Sequence, residues 1–422
     1  MLSPPEADLV RRDAALPALA TVLDPEAFVA ALPPALAATD VRAASIRYVR
    51  YKPHTNCLVA YRLDVGRAAV EPLHAYAKAH RLDAAEKLRK ARRSGPGRMV
   101  LADRALVISL FPTDGRLKAM RRLTDAGERP RLLRDLLSDR PDWWTGTVRT
   151  LRYKPERRYV ARLETPDGIG AVLKVHLPEW YRRAADSAAA FASHHAVRVP
   201  RLLGRSAHHR TVALEWLPGR LLSEALGSAA DVAAAATVGT ALGELHRQRP
   251  VGLAAVEPEA EAADLTALGA DIAFVCPRLA RSAQDLAARL AARVTEASNH
   301  LGPIHGDFYA GQVLLDGGAV AIFDLDRAAW GDPAADLGTF VAHLERDALR
   351  GALPADRVTG LSDALLEGYR TVASRPAPAR LRLYTAVGLF RLAPEPFRTC
   401  EPDWPDKIAA VIARAAAVAE AG

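Results

Sequence analysis

The chain has 422 residues, half of them hydrophobic and a quarter charged, with a formal net charge of +8. That length exceeds one typical core and predicts two or three domains, and the composition excludes disordered and fibrous classes. Three widely spaced cysteines, Cys57, Cys276 and Cys400, form neither a disulfide framework nor a zinc cluster and point to a reducing cytoplasm.

The N-terminus carries Glu6, Asp8, Arg11, Arg12 and Asp13 where a signal peptide needs an apolar core. No run reaches the roughly 18 apolar residues of a membrane span, so no membrane partner is expected. Asp24-Pro25-Glu26 predicts a helix start, with Asp as the cap and Pro in the first turn. An internal repeat follows. Arg47-Tyr48-Val49-Arg50-Tyr51-Lys52-Pro53 leads to Cys57-Leu58-Val59-Ala60-Tyr61, and Arg149-Thr150-Leu151-Arg152-Tyr153-Lys154-Pro155 leads to Tyr159-Val160-Ala161-Arg162-Leu163. Each copy then reaches a strand with a central lysine, Lys78 or Lys174, and each ends in an apolar strand before Pro112 or Pro218. The pattern predicts two small antiparallel sheets joined by a helical linker over about 115–142.

Lys87, Arg89, Lys90, Arg92, Arg93 and Arg98 form a basic run in the first copy. Without interleaved aromatics it reads as a solvated face, and no nucleic-acid partner is expected. Residues 219–300 are read as helical. Near the C-terminal third, two short apolar runs flank Asp316-Gly317-Gly318, which predicts a β-hairpin turned by the Asp-Gly pair. Asp307 lies on the loop entering it, Gln312 at the start of its first strand, and Asp324 at the end of its second. Gln312 and Asp324 are oxygen ligands suited to Mg²⁺, which leaves coordination positions for substrate phosphates. A loop carboxylate just before them is where phosphoryl transfer keeps the base for an acceptor hydroxyl.

The stretch Ile304-His305-Gly306-Asp307-Phe308-Tyr309-Ala310-Gly311-Gln312, with Asp324 downstream, resembles the His-x-Asp-x-x-x-x-Asn plus Asp signature of the aminoglycoside phosphotransferase and choline kinase group. Gly331-Asp332-Pro333-Ala334-Ala335-Asp336-Leu337 is similar to the segment that follows the metal aspartate in those small-molecule kinases. Gln312 departs from their usual Asn and resembles a maltokinase-like branch. The resemblance implies an α+β, protein-kinase-like two-lobed fold with an antiparallel-sheet N-lobe, a mainly helical C-lobe and an additional N-terminal N-lobe-like domain. The expected domains are a cap over 1–142, the N-lobe over 143–217 and the C-lobe over 218–422.

The same resemblance implies an enzyme that uses ATP or GTP with Mg²⁺ on a hydroxylated small molecule, a sugar or sugar-containing metabolite. Asp307 is then the catalytic carboxylate, Gln312 and Asp324 the metal ligands, and His305 an architectural residue of the loop. Lys174 pairs with nucleotide phosphates, helped by an acid on the next helix, Asp186 or its competitor Glu179. Glu215, Trp216 and Leu217 resemble the hinge that hydrogen-bonds adenine. The turn near Pro155 to Tyr159 lacks the glycine that lets backbone N–H groups approach phosphates, leaving Arg157 and Arg158 as phosphate contacts or solvated turn residues. Asp332 and Asp336 read as structural. Tyr309, Asp326, Arg391 and Arg398 are candidates for the acceptor side, although Asp326 also suits the metal site or a turn cap and the C-terminal set also fits a packed helix with Trp404 in the core. The chain is expected as a monomer or homodimer. The rival expectation is a catalytically silent kinase-like nucleotide-binding or scaffold protein.

Overall fold

A computed structural model describes residues 1–32, 40–66, 73–92, 97–227, 231–296, 301–374, 376 and 378–421. Arg93 of the basic run lies outside the described residues. The first antiparallel sheet contains β1 (Val41–Lys52), β2 (Asn56–Val65), β3 (Leu73–His80), β4 (Arg98–Leu101) and β5 (Leu106–Leu110), in the order β1-β2-β3-β5-β4. The second contains β6 (Thr147–Lys154), β7 (Arg158–Thr165), β8 (Gly168–His176), β10 (Leu202–Ser206) and β11 (Thr211–Glu215), with β9 (Val197–Arg198) outside it. Its order, β6-β7-β8-β11-β10, matches that of the first sheet strand for strand. A helix follows the third strand in both copies, Ala85–Arg92 in one and Pro178–Ala190 in the other. The repeat is therefore a repeat of structure as well as of sequence.

The helices at 115–142 are not a free linker. Lys118–Thr124 and Arg129–Leu136 bury Leu117, Met120, Leu123, Leu132, Leu133 and Leu136 against Tyr159, Ala161, Leu173 and Val175 of the second sheet. The cause is period: a sheet face with buried residues at every second position needs a cover, and these helices supply Leu and Met at helical spacing. Ahead of the first sheet the corresponding cover comes from Leu19–Leu23 and Pro25–Ala30, where Asp24 accepts from the backbone N–H of Glu26 and Ala27 as the sequence predicts. Burial here continues past the lobe. Phe28, Val49 and Tyr61 share one core with Leu265, Ile272, Phe390, Phe397 and Trp404 of the C-terminal helices. Trp404 is thus a core residue, 3% exposed.

The chain leaves the second sheet at Glu215, turns at Gly219 (φ +133°), and enters a third, smaller sheet through β12 (Arg220–Leu221). β12 pairs with β14 (Val313–Asp316), β14 with β15 (Ala319–Ile322), and β15 in parallel with β9. The β14–β15 hairpin turns on Gly317 and Gly318, both at positive φ, and Asp316 pairs with Ala319 in the ladder. The Gly-Gly pair, rather than Asp-Gly, supplies the left-handed backbone. β13 (Gly302–Ile304) pairs with β16 (Ala329–Gly331) beside this hairpin. Helices Asp231–Arg247, Ala334–Leu349 and Ala355–Arg370 bury Phe308, Val313 and Ile322 beneath it. The fold is thus α+β: two sheet-based units in front of a mainly helical half. Among the described residues, no helix is long and apolar enough to cross a membrane.

Candidate active site

The loop after β13 is held by a buried carboxylate. Asp336 accepts from the backbone N–H of His305 at 2.6 Å and of Gly306 at 2.8 Å, and from His246 Nε2 at 2.9 Å. Burial would raise the Asp336 carboxyl, but the bond and charge of His246 hold it below the ordinary range. Gly306 must be glycine: at φ +79°, a Cβ would stand 2.5 Å from the Arg327 carbonyl. His305 donates from Nε2 to the Phe323 carbonyl at 2.8 Å and accepts on Nδ1 from the Asp307 N–H at 3.3 Å. Both ring nitrogens are thereby committed, so His305 fixes the spacing between the Asp307 loop and the end of β15 and is not free for acid–base work.

At that end, Asp324 takes a left-handed backbone (φ 67°) and turns its carboxylate into a buried cluster. Lys174 Nζ donates to Asp324 at 2.6 Å and to Asp326 at 2.8 Å. Arg158 reaches the same two carboxylates at 2.8 and 3.0 Å, and Gln312 Nε2 donates to Asp324 at 3.2 Å. Burial would push the Asp324 carboxyl up; the Lys174 and Arg158 charges instead hold it well below the usual carboxylate range. Two cations thus match two carboxylates inside the protein. Removing one member of such a set strands a buried charge, at a cost of about 3–5 kcal/mol.

Asp307 is half-buried beside this cluster. Tyr309 stacks on His343 with ring centroids 4.2 Å apart, and its hydroxyl is raised by burial, with the Asp307 and Asp324 charges adding. Lys154, at the end of β6, is pushed down to about 8, first by burial and then by Arg152, Arg158 and Arg157, with Asp307 opposing. The electrostatic neighbourhood therefore joins β6, β7 and β8 of the second sheet to the loops around β14 and β15.

The family profile described as the phosphotransferase enzyme family (APH) matches residues 148–384, more than half of the chain. The chain belongs to this family. It is accordingly a small-molecule kinase with the protein-kinase-like two-lobed fold, preceded by a second N-lobe-like sheet. Solved structures similar to it include macrolide 2′-phosphotransferase MphH from Brachybacterium faecium, at 22% identity over 63% of this chain and 91% of that one, with a TM-score of 0.41. A choline/ethanolamine kinase family protein from Mesorhizobium loti is 18% identical over 70% and 94%, with a TM-score of 0.47. The amicoumacin kinase hAmiN, solved in complex with AMP-PNP, Ca²⁺ and Ami, is 14% identical over 71% and 95%, with a TM-score of 0.47. No curated protein matches the chain.

Within this phosphotransferase, the residues singled out from sequence fall into two groups. Lys174, Arg158, Gln312, Asp324 and Asp326 meet in one cluster, with Asp307, His305 and Tyr309 on the adjoining loop. Asp326 belongs with Lys174 rather than on an acceptor wall. Asp186 does not reach Lys174: it is half-exposed and lies 3.7 Å from Arg205. Glu179 is taken by Arg116 at 2.5 Å. The acids that neutralise Lys174 come instead from the C-lobe, 150 and 152 residues downstream. Arg157 is exposed on the turn. Arg391 pairs with Glu261, and Arg398 lies within electrostatic reach of Asp271, an exposed residue of the helix Pro258–Val275, so neither joins the cluster. Glu215 pairs with Arg201, and Trp216 and Leu217 carry the chain, half-buried, from one lobe to the other.

Sequence reading passed over Lys154 and Glu156. Lys154 stood in the repeat only as part of a strand pattern; the signal for it was the concentration of positive charge at 152, 154, 157 and 158 around one turn. Glu156 had no local signal, because its partners lie in the other copy.

Proposed function

We propose that the chain transfers the γ-phosphoryl group of ATP or GTP, with Mg²⁺, to a hydroxyl of a sugar or sugar-containing metabolite. The observation that carries this reading is the convergence of Lys174 and Arg158 on Asp324 and Asp326 beside the Asp307 loop. The donor set fits the cation: carboxylate oxygens of Asp324 and the amide of Gln312 are hard ligands, and they leave most positions to phosphate and water. When bound, Mg²⁺ supplies charge neutralisation across the β- and γ-phosphates.

In this mechanism Lys174 and Arg158 hold phosphate oxygens once the nucleotide competes for them, and Lys154 adds a third positive charge. Asp307 orients the acceptor hydroxyl and accepts its proton. The hydroxyl oxygen bonds to the γ-phosphorus while the bond to the β–γ bridging oxygen breaks, releasing the nucleoside diphosphate. Asp336 and His305 keep Asp307 in position, which is most of what a phosphoryl-transfer enzyme must do. The hinge at Glu215, Trp216 and Leu217 receives the base. The units of the chain are read as 1–113 for the extra lobe, 114–217 for the catalytic N-lobe and 218–422 for the C-lobe, since the helices at 118–136 pack on the second sheet. Three free cysteines, Cys57, Cys276 and Cys400, support a cytoplasmic setting.

Asp307→Ala and Asp324→Ala are each expected to abolish nucleotide-dependent phosphorylation in an acceptor screen over sugars, amino sugars and aminoglycosides, with circular dichroism showing both variants folded although Asp324→Ala melts at a lower temperature. Transfer at the wild-type rate in either variant sinks the proposed roles. A second reading, a catalytically silent nucleotide-binding protein, is favoured by one feature: Lys174 and Arg158 already neutralise both carboxylates. Magnesium-dependent nucleotide binding by thermal shift, with no transfer to any acceptor, is its signature.

A further inference from the structure

The two copies differ in what their central lysine meets. Lys78 and Lys174 hold the same strand position: Lys78 pairs across to Leu58 and Val107, and Lys174 to Val160 and Val212. The correspondence extends to the hairpin tips. His54 and Glu156 each follow a Tyr-Lys-Pro and sit at φ 53° and 52°. Each tip is fastened by an aspartate from the preceding segment. Asp13 accepts from the Tyr51 hydroxyl at 2.6 Å and the His54 N–H at 3.0 Å. Asp114 accepts from the Tyr153 hydroxyl and the Glu156 N–H, both at 2.8 Å. Lys174 then meets Asp324 and Asp326. Lys78 has no catalytic loop of its own, and its Nζ instead donates to Glu156 at 2.5 Å, on the tip of the catalytic copy's hairpin. Arg50 adds bonds to the Glu156 carboxylate at 3.2 Å and the Pro155 carbonyl at 3.3 Å.

We propose that Lys78 and Arg50 of the duplicated lobe are positioning residues for the nucleotide site, gripping Glu156 so that Lys154 and Arg158, two positions to either side, stand over the phosphates. The turn itself explains the need. It has no glycine, and its N–H groups are already committed: Glu156 N–H to Asp114, and Arg157 N–H to the Lys154 carbonyl. It therefore has neither of those backbone donors to offer a phosphate, and recognition passes to side chains, whose placement depends on how firmly the turn is held. Glu156 is 5% exposed, and although burial would raise its carboxyl, Lys78 and Arg50 hold it below the ordinary range. In effect Glu156 stands to Lys78 as Asp324 stands to Lys174.

What is positioned rests on the kinase function proposed above; the grip itself is read independently of activity. The full chain is compared with Lys78→Met, Glu156→Gln, their double variant and Lys78→Arg, each with its melting temperature. Hydrogen exchange at 155–158 and steady-state kinetics with varied Mg·nucleotide are measured. Lys78→Met is expected to speed exchange at the turn and raise the nucleotide KM about tenfold, with the acceptor KM little changed. Glu156→Gln, which keeps the side-chain shape, is expected to do the same and stands in if Lys78→Met fails to fold. The double variant should be no worse than the poorer single, and Lys78→Arg should recover most of the loss. Unchanged exchange in folded variants overturns the grip. Faster exchange with an unchanged nucleotide KM, or losses that multiply in the double variant, overturns the positioning role. A wild-type chain that neither binds nor turns over nucleotide fails the proposed function and the positioning role with it, whereas exchange still reports whether Lys78 holds the turn.

Discussion

Lys154 shows how a single side chain acquires a role from its surroundings. A free lysine is charged across the physiological range. Burial and three neighbouring arginines bring Lys154 down to about 8, so its charge is present below that pH and lost as pH rises through it. If that charge draws in phosphates, kcat/KM for the nucleotide should fall above about 8. Lys154→Arg, which stays protonated, should carry the plateau to higher pH. A pH profile that is identical in both forms would remove Lys154 from nucleotide recognition. Gln312 poses a different test. Its amide lies 3.2 Å from Asp324 on a stem one methylene longer than Asn, so Gln312→Asn should retract the amide from the carboxylate. The expected result is a higher Mg²⁺ requirement, read by titrating the metal at fixed nucleotide.

Among elements, the loop that carries Asp307 is held in place by helices packed behind it. Asp231–Arg247 and Ala355–Arg370 pack so closely that a Cβ on Gly368 would stand 1.8 Å from the Ala236 carbonyl, and one on Gly239 would stand 1.9 Å from that of Leu365. This contact sets His246 against the Tyr369 hydroxyl at 3.0 Å, and His246 in turn holds Asp336 beneath His305 and Gly306. Gly368→Ala should therefore force the helices apart. The expected loss of stability is about 1–3 kcal/mol, seen in denaturant unfolding, with a fall in transfer rate beyond what the unfolded fraction explains. A variant of unchanged stability would mean that the helices separate without strain.

For the whole molecule, the duplicated lobe is not a detachable cap. Its sheet and N-terminal helices share a core with the C-terminal helices, where Phe28 and Tyr61 belong to the same cluster as Ile272, Phe390 and Trp404. A chain beginning at residue 114 would expose that apolar face, so it should bind a hydrophobic dye and aggregate although it keeps Lys174, Asp307, Gln312 and Asp324. A soluble, active truncation would show the shared core to be dispensable.

Sequence by itself determined the hairpin of β14 and β15, the loop before it and the duplication, because each is written in consecutive residues: glycines at the turn, alternating strands, a motif of fixed spacing. The family resemblance singled out Lys174, Asp324 and Gln312, and folding brings the three within hydrogen-bonding distance of one another through Asp324. Sequence placed helices between the two sheets at about 115–142 but not their packing partner, because an amphipathic helix does not say which sheet it covers. The resemblance pointed to Asp186 or Glu179 as the acid beside Lys174, whereas those two meet Arg205 and Arg116, and folding brings Asp324 and Asp326 to Lys174 from the other lobe. The Lys78–Glu156 pair joins residues 78 apart in two copies of one unit. Neither residue carries a periodic or local signature of that meeting, and only the packing of one lobe on the other decides it.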